Sequence, residues 1–397
     1  MPSLIFRACA AIATLISTPT AALAIGAPPI ETAATHALIM DYETGEILFE
    51  KDADTPTAPA SMSKLMTVAI VLEKLKANEL SLEDDFDVSV KAWRTGGSKM
   101  WVREGAKIKL RNLLRGAIIQ SGNDACIVIA ENIAGSEDAF VDLMNLKARE
   151  WGLEDSTFAN ATGWPHPDHK MSMRDLGALA RMIIKEHQDH YGIFSESEFT
   201  WEKIRQPNRN PLLGEFVGAD GLKTGHTDES GYGVVGSAAR EGVRRIIVVN
   251  GLEDQRARAR ESLRLMVMAF NDFRKRTLYK AGDVVGAAEV FGGETAQVPL
   301  LVREDVELIL HRTALNDVVA RVVYEGPLVA PVQKGRQAGY LRLKVGDASR
   351  DYPVFVAEDA VELGVVGKII LGARKLLLKP EPADGPVAGG GADAAQQ

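Results

Sequence analysis

Residues 58–67 read APASMSKLMT and open the first apolar helix of the chain. Ser61 and Lys64 lie three positions apart at the predicted helix start, so their side chains share one face. A serine hydroxyl attacks a carbonyl carbon poorly unless a nearby base removes its proton, and a neutral lysine can be that base. Apolar residues then recur at helical spacing: Leu65, Met66, Ala69, Leu72 and Leu75. The stretch therefore predicts an apolar helix that carries a nucleophile and its base in the first turn.

Lys64 can act as a base only when its amine is neutral, and a free lysine with a pKa of about 10.4 is cationic at neutral pH. Burial lowers a lysine pKa, and a second cation nearby lowers it further by like-charge repulsion. We expect Lys64 to be buried and Lys223 to supply the second charge. The alternative is that Ser61 merely caps the helix and Lys64 lies on its surface, because an S-x-x-K string alone is ordinary.

A second motif, Ser121-Gly122-Asn123, falls at a predicted helix–turn–helix junction. A second hydroxyl near the leaving group could relay a proton, and an amide could orient the peptide bond of a substrate. The alternative is a simple capping turn for the helix that follows. Taken alone, an S-x-N string is a very weak signal of catalytic function.

The third motif, Lys223-Thr224-Gly225, precedes a predicted strand. A lysine and a threonine on an exposed strand edge can bind a terminal carboxylate, and a glycine lets a substrate backbone come close. A phosphate-binding loop is the rival interpretation. It fails because Leu222 stands where that pattern requires a glycine directly before the lysine.

The order of elements predicts an α+β fold. A hairpin (37–40 and 47–49) is followed by mainly helical patterns to about residue 190, and then by a second hairpin (232–238 and 245–250) and a helix (254–274). The first and last strands can join one antiparallel sheet with helices packed on it, which predicts a catalytic domain over residues 25–275. Short β-rich runs then predict a small all-β domain over residues 276–365.

The two ends of the chain suggest export and a membrane contact. Residues 1–24 resemble a signal peptide, with one positive charge, an apolar run and a small-residue cleavage site, so we expect a periplasmic protein. Residues 366–379 form an amphipathic pattern with cations beside an apolar stripe. Such a helix can lie in an anionic membrane surface on the outer face of the inner membrane, or dock on the β domain. Residues 380–397 are rich in Pro, Gly and Ala, which predicts a disordered tail.

Charge and composition narrow the function classes. The chain of 397 residues has a formal net charge of −8 and no dominant basic block, which argues against nucleic acid as a partner. The paired histidines, His166 with His169 and His187 with His190, fit no zinc motif and have no evident third ligand. We therefore expect neither a metal nor a cofactor.

Together, the three motifs in this order are the signature of penicillin-binding proteins and class A β-lactamases. The chain resembles the low-molecular-weight penicillin-binding proteins, the serine-type D-alanyl-D-alanine carboxypeptidases of peptidase family S11. Besides residues 58–67, the resemblance rests on Asn160-Ala161-Thr162-Gly163 and on the string DGLKTGHT at residues 220–227. It runs from about residue 36 to the C-terminal helix and implies a β-lactamase/transpeptidase-like catalytic domain.

The resemblance also implies a mechanism. Lys64 would deprotonate Ser61, which would attack the carbonyl between the two D-alanines of a peptidoglycan stem pentapeptide. Backbone N–H groups of Ser61 and His226 would hold the oxyanion, and Ser121 would pass a proton to the departing D-alanine. Water would then hydrolyse the acyl-enzyme.

Five further residues would bind the substrate in this mechanism. Lys223 and Thr224, helped by Arg209, would bind the terminal carboxylate, and Asn123 would position the peptide. Gly225 would leave room for the substrate backbone. Penicillins mimic this substrate, so β-lactams are expected to acylate the nucleophile and to leave slowly.

Three other functions remain open at this point. A serine β-lactamase shares all three motifs but needs an efficient deacylating base, such as the glutamate of an E-x-x-L-N loop, and no such string occurs. A DD-endopeptidase that cleaves cross-links would differ only in the shape of its groove. A non-catalytic wall-binding scaffold of the same fold is disfavoured by the intact motifs.

Overall fold

The computed structural model describes residues 30–314, 316–346, 348–367 and 369–370. The predicted signal peptide and the predicted tail lie outside the described residues, as does the predicted C-terminal helix apart from residues 366, 367, 369 and 370. The chain divides into two compact units. The first takes the described residues up to 276 together with 309–318 and 344–349, and the second takes the others.

The helices have the following bounds: α1 Lys64–Lys76, α2 Val90–Arg94, α3 Leu110–Ile118, α4 Asn123–Ala134, α5 Glu137–Glu150, α6 Met173–Glu186, α7 Gln188–Tyr191 and α8 Gln255–Asn271. Short 3₁₀ turns cover Ala60–Ser63, Gly192–Ser195 and Arg312–Ala314. Within the described residues, no helix is both long and apolar enough to span a bilayer.

The strands of the first unit are β1 His36–Asp41, β2 Ile47–Lys51, β3 Asp85–Asp87, β4 Lys107–Lys109, β5 Glu198–Trp201, β6 Ile204–Pro207, β7 Ala219–Thr227, β8 Gly231–Arg240 and β9 Val243–Leu252. The strands that follow are β10 Phe273–Tyr279, β11 Val284–Phe291, β12 Gln297–Leu301, β13 Val306–His311, β14 Val318–Tyr324, β15 Leu328–Val329, β16 Gln337–Val345 and β17 Ala348–Val356.

The main sheet joins the beginning and the end of the first unit. Its order is β2-β1-β9-β8-β7, with antiparallel pairing throughout. The α+β prediction is therefore confirmed, including the pairing of the first strands with the last. Strand β7 lies at the edge of this sheet, so one side of its backbone is not covered by another strand.

Two apolar cores lie on the two faces of the sheet. Leu38 and Met40 of β1 pack with α1, α3, α4 and α6, whereas Ala37 and Ile39 pack with Leu265 and its neighbours on α8. This division follows from the period of two in a strand, which sends successive side chains to opposite faces. The sheet is thus a middle layer with helices on both sides.

Helix α1 departs from the predicted single stripe, because Val68, Ile70 and Val71 are buried as well. A helix that is apolar on nearly all sides belongs in the centre of a domain. Cys126 on α4 also has no exposed surface, and burial raises the pKa of its thiol to about 11. This agrees with its predicted role as a small buried apolar residue.

The second unit is built on a β-sheet. Strands β14, β16, β17, β12, β11 and β15 form one sheet in that order, with an antiparallel β11–β12 pair and a parallel β11–β15 pair. The predicted all-β C-terminal domain is confirmed as a fold, while its exact limits stay a prediction. Helix α8 ends at Asn271, earlier than expected, because Phe273 begins strand β10.

Candidate active site

The predicted nucleophile and base lie in contact. The 3₁₀ turn Ala60–Ser63 leads directly into α1, and this brings the Lys64 Nζ atom to 2.9 Å from the Ser61 Oγ atom. Lys64 is completely buried, while Ser61 keeps part of its surface exposed. The surface-lysine interpretation is therefore wrong, and Ser61 is a reachable hydroxyl beside a buried amine.

Two further acceptors surround the Lys64 amine. It donates to the Asn123 Oδ1 atom at 2.8 Å and to the Thr162 carbonyl oxygen. The Asn123 Nδ2 atom donates to the Gly96 carbonyl at 2.9 Å, which fixes the side-chain amide with its oxygen towards Lys64. A neutral amine can give its two hydrogens to these two acceptors and turn its lone pair towards Ser61. The site thus orients Lys64 as a base.

Burial lowers the pKa of Lys64 to about 8, and the charge of Arg209 acts in the same direction. Arg209 is thus one neighbouring cation that lowers the Lys64 pKa, while a contribution from Lys223 stays a prediction. Burial holds the pKa of Lys223 itself well below the usual value, and the charge of Lys64 lowers it further. Burial therefore acts on both amines, and like-charge repulsion between them opposes the state in which both are protonated.

A second serine–lysine pair faces the first. The Lys223 Nζ atom, on β7, donates to the Ser121 Oγ atom and to the Thr224 carbonyl, both at 3.0 Å. Ser121 lies between α3 and α4 with a positive φ of 58°. It does not cap α4, whose N-cap is Gly122 without a side-chain bond. The motif does form the turn that begins α4, but the Ser121 side chain contacts Lys223 and does not cap the helix.

The K-T-G motif lies inside β7 rather than before a strand, at the open edge of the sheet. Thr224 is buried, and His226 is exposed and stacked on Tyr232 with ring centroids 3.8 Å apart. A Cβ atom on Gly225 would stand 2.8 Å from the Pro59 carbonyl oxygen. Gly225 is thus needed for β7 to pack on the turn that carries the nucleophile, a reason the sequence did not reveal.

Arg209 follows β6 and donates from Nη1 to the Ser98 Oγ atom at 2.8 Å. Its charge lowers the pKa of both Lys64 and Lys223, so its guanidinium lies near the two amines. Ser98 also fixes the second motif, because its carbonyl accepts from the Asn123 N–H at 2.7 Å. The structure therefore brings all the predicted site residues to one region.

Asp124 is a positioning residue that the sequence reasoning missed. Its carboxylate is buried and accepts backbone N–H groups of Met100 at 2.9 Å, Trp101 at 2.8 Å and Val102 at 3.1 Å. It thereby ties the segment that ends the 96–102 loop to the start of α4. The sequence signal that could have indicated this role is an acidic residue in the first turn of an otherwise apolar helix.

The described part of the chain contains no group of three His, Cys, Asp or Glu side chains arranged as metal ligands. The site holds one hydroxyl against a buried amine, a second hydroxyl–amine pair opposite, and an open strand edge beside them. This arrangement defines the class of penicillin-recognising serine acyl-transfer enzymes. The comparisons with known proteins narrow this class.

A family model described as D-alanyl-D-alanine carboxypeptidase matches residues 22–254, and the model for the C-terminal domain of penicillin-binding protein 5 matches residues 273–362. The chain belongs to this family of D-alanyl-D-alanine carboxypeptidases. It is a serine-type enzyme of that family, as its sequence predicted.

Named relatives agree over most of the chain. D-alanyl-D-alanine carboxypeptidase DacC of Escherichia coli strain K12 is 35% identical over 87% of this chain and 88% of its own length. The crystal structure of the carboxypeptidase DacD from Francisella tularensis has a TM-score of 0.77 at 30% identity, covering 85% of this chain and 97% of that one. Penicillin-binding protein D2 of Listeria monocytogenes in the ampicillin-bound form has a TM-score of 0.57 at 31% identity, covering 62% of this chain and all of that one.

Proposed function

We propose that this carboxypeptidase removes the terminal D-alanine from peptidoglycan stem pentapeptides through an acyl-enzyme on Ser61. The observation that carries the proposal is the 2.9 Å contact between the Ser61 hydroxyl and the Lys64 amine. With a pKa of about 8, roughly a tenth of the Lys64 amine is neutral at pH 7. This fraction is sufficient to sustain general-base catalysis.

In the acylation step, Lys64 takes the hydroxyl proton as the Ser61 oxygen forms a bond to the carbonyl carbon of the penultimate D-alanine. The negative charge that develops on the carbonyl oxygen is held by the N–H groups of Ser61 and His226. The Ser61 N–H lies at the start of the 3₁₀ turn, where helical N–H groups lack internal partners. One such donor contributes a factor of about 10²–10³ in rate.

The bond between the carbonyl carbon and the nitrogen of the last D-alanine then breaks. Ser121, held at 3.0 Å from the Lys223 amine, delivers a proton to that nitrogen and regains one from the lysines. Lys223, Thr224 and Arg209 bind the terminal carboxylate, and Asn123 orients the preceding peptide bond. Water then attacks the ester, which releases the shortened peptide and restores the Ser61 hydroxyl.

β-Lactams enter the same site as substrate mimics. The ampicillin-bound Listeria relative supports this part of the proposal, since it shares the fold and 31% of the aligned residues. The β-lactam carbonyl would acylate Ser61, and its ring nitrogen would take the proton that the departing D-alanine takes in the substrate. The carboxylate of the drug would lie on Lys223 and Thr224.

The decisive experiment maps the acylated residue. After incubation with benzylpenicillin, intact-mass and peptide mass spectrometry should show one adduct on Ser61, and the Ser61→Ala variant should show none. The wild-type protein should release D-alanine from a defined pentapeptide, and a chelator should not change the rate. An undiminished adduct in Ser61→Ala would falsify the proposed nucleophile.

We further propose that the protein is exported to the periplasm and contacts the anionic surface of the inner membrane through residues 366–379. The side chains of Val365, Val366, Ile369 and Ile370 are between 62% and 76% exposed, which supports an apolar face open to lipid. Removing everything after Gly364 should abolish sedimentation with vesicles of anionic phospholipid. Equal sedimentation of full-length and truncated proteins would show that the helix is only structural.

A further inference from the structure

Trp164 is a large apolar side chain left in solvent beside the catalytic residues. Trp164 is 52% exposed. The residue before it, Gly163, packs on the turn that carries Ser61. A single exposed apolar residue is ordinary on a protein surface, so the position of Trp164 beside the catalytic residues, and not its exposure alone, makes it a candidate for ligand contact. To bind a ligand side chain, Trp164 must also be held in a fixed position.

The backbone around Trp164 is fixed by one side chain, that of Asn160. The Asn160 Oδ1 atom accepts the backbone N–H groups of Thr162 at 3.1 Å, Gly163 at 2.8 Å and Trp164 at 3.0 Å. The Asn160 Nδ2 atom donates to the Trp164 carbonyl at 3.0 Å. The turn is therefore organised before any ligand arrives, which reduces the entropy that binding must overcome.

This turn is also seated on the nucleophile segment. Gly163 has a φ of +77°, and a Cβ atom there would lie only 2.0 Å from the Ala60 carbonyl oxygen. Only a glycine permits this approach. The position of Trp164 is thus coupled directly to the turn Ala60–Ser63.

On its other side, Trp164 lies close to the side-chain amide that orients the substrate. A Cβ atom on Gly97 would stand 2.7 Å from both the Asn123 Nδ2 atom and the Trp164 Cζ3 atom. The indole edge and the Asn123 amide are therefore near neighbours across this glycine. A chemical group attached to a peptide bond that Asn123 holds would therefore lie within reach of the indole.

We propose that Trp164 forms an apolar subsite for the side chain of the residue that precedes the D-alanyl-D-alanine pair. The site takes the hydrocarbon part of that third stem residue, and it takes the acyl side chain of a penicillin in the same way. This inference rests on the proposed function, since it requires Asn123 to hold the peptide bond between the third and fourth residues. It adds a specificity determinant that Ser61 and Lys64 do not supply.

The test compares ligands that share the reacting part and differ in this side chain. Benzylpenicillin and 6-acetamidopenicillanic acid carry the same amide, but only the first carries a phenyl ring. The peptides diacetyl-L-Lys-D-Ala-D-Ala and acetyl-Gly-D-Ala-D-Ala form the corresponding substrate pair. Second-order acylation rates for the penicillins and kcat/KM for the peptides give one preference ratio for each pair.

The Trp164→Ala variant should lower both preference ratios about three- to tenfold, as expected for the loss of one aromatic contact. The rates with the two small ligands should change less than twofold. Trp164→Phe should keep at least half of each preference, because it retains an aromatic face. Trp93→Ala is the matched control, since Trp93 is 40% exposed on α2 and should leave both ratios unchanged.

An unchanged ratio in either pair with Trp164→Ala, or an equal fall for large and small ligands, would overturn the subsite. Should Trp164→Ala fold poorly, the Phe variant decides, because loss of preference in that variant also contradicts the proposal. Failure of the subsite is distinguishable from failure of the proposed function. In the first case benzylpenicillin still forms an adduct on Ser61, and in the second it does not.

Discussion

The two serine–lysine pairs of the site use the same chemical groups in different surroundings. Ser61 and Lys64 come from one helical turn with a contact of 2.9 Å, whereas Ser121 and Lys223 come from two distant segments with a contact of 3.0 Å. The Lys64 amine has two further acceptors that leave its lone pair for Ser61. Lys223 lies instead on β7, the edge strand of the sheet, and it is only 3% exposed.

The roles of the two lysines therefore depend on their surroundings and not on their residue type. Burial lowers the pKa of both lysines, and the charge of Lys64 lowers the pKa of Lys223 further. The pKa of Lys64 falls to about 8. A substrate carboxylate favours the protonated form of Lys223, which places a cation beside the bound anion. The comparison can be tested by removing each partner.

The largest effect is expected at the first pair. Lys64→Gln removes the base, and the acylation rate with benzylpenicillin should fall by about 10³-fold or more, within the usual range for general-base catalysis. Stopped-flow measurement of adduct formation checks this. Lys76→Gln, on the exposed end of the same helix, is the control and should retain the wild-type rate. A fall of less than tenfold in Lys64→Gln would assign the base to another group.

Removal of the second lysine should have a smaller effect. Lys223→Gln deletes the cation that binds the substrate carboxylate, and kcat/KM for the peptide should fall about a hundredfold, equivalent to about 3 kcal/mol. A peptide with an amidated C-terminus lacks that charge and should lose much less. Comparable losses for the acid and the amide would show that Lys223 acts in the proton relay and not in carboxylate binding.

The loop that Asp124 holds beside the Ser61–Lys64 pair can be loosened without changing either residue of the pair. Asp124→Asn keeps one of the two oxygens that accept the N–H groups of Met100, Trp101 and Val102, so the 96–102 loop should loosen. We expect kcat/KM to fall about tenfold and the free energy of unfolding to fall by about 1–3 kcal/mol. Asp138→Asn, in the first turn of α5, is the matched control. Urea unfolding and peptide kinetics measure the two effects, and wild-type values for both would contradict this role.

The smallest effect concerns pH. Because burial lowers the pKa of Lys64 to about 8, the acylation rate should rise with pH and level off above that value. Removing the nearby cation in Arg209→Gln must raise the pKa of Lys64, so the midpoint should move to higher pH. Rate measurements from pH 5 to 10 locate the midpoint. A midpoint that stays in place or falls would show that Arg209 does not act on Lys64.

The sequence predicted the parts of the site that depend on local spacing. Ser61 and Lys64 share a helical face, so their contact follows from the three-residue separation. Four of the five strands of the main sheet (β1, β2, β8 and β9) also followed, because they alternate or form continuous apolar runs, whereas β7 was not predicted as a strand. Short pairs such as β3–β4 and β5–β6 were missed, since strands of three or four residues leave almost no periodic pattern.

Long-range relations in the site could not be predicted in the same way. The effect of the Arg209 charge on both lysine amines depends on how deeply these groups are buried, and burial is set by the whole fold. The need for Gly225 comes from the carbonyl of Pro59, which is far away in the chain. The three N–H groups on Asp124 likewise belong to a loop that no sequence pattern marks.

Cys126 has a consequence for handling the enzyme. Its thiol lies on α4 near the Lys64 and Lys223 amines, whose charges act on it. It has no exposed surface, and burial raises its pKa to about 11. Alkylating reagents and oxidants attack the thiolate, so the folded protein shields this atom both by access and by protonation. Modification of that sulfur therefore reports transient opening of the catalytic core, and it does so without an introduced label.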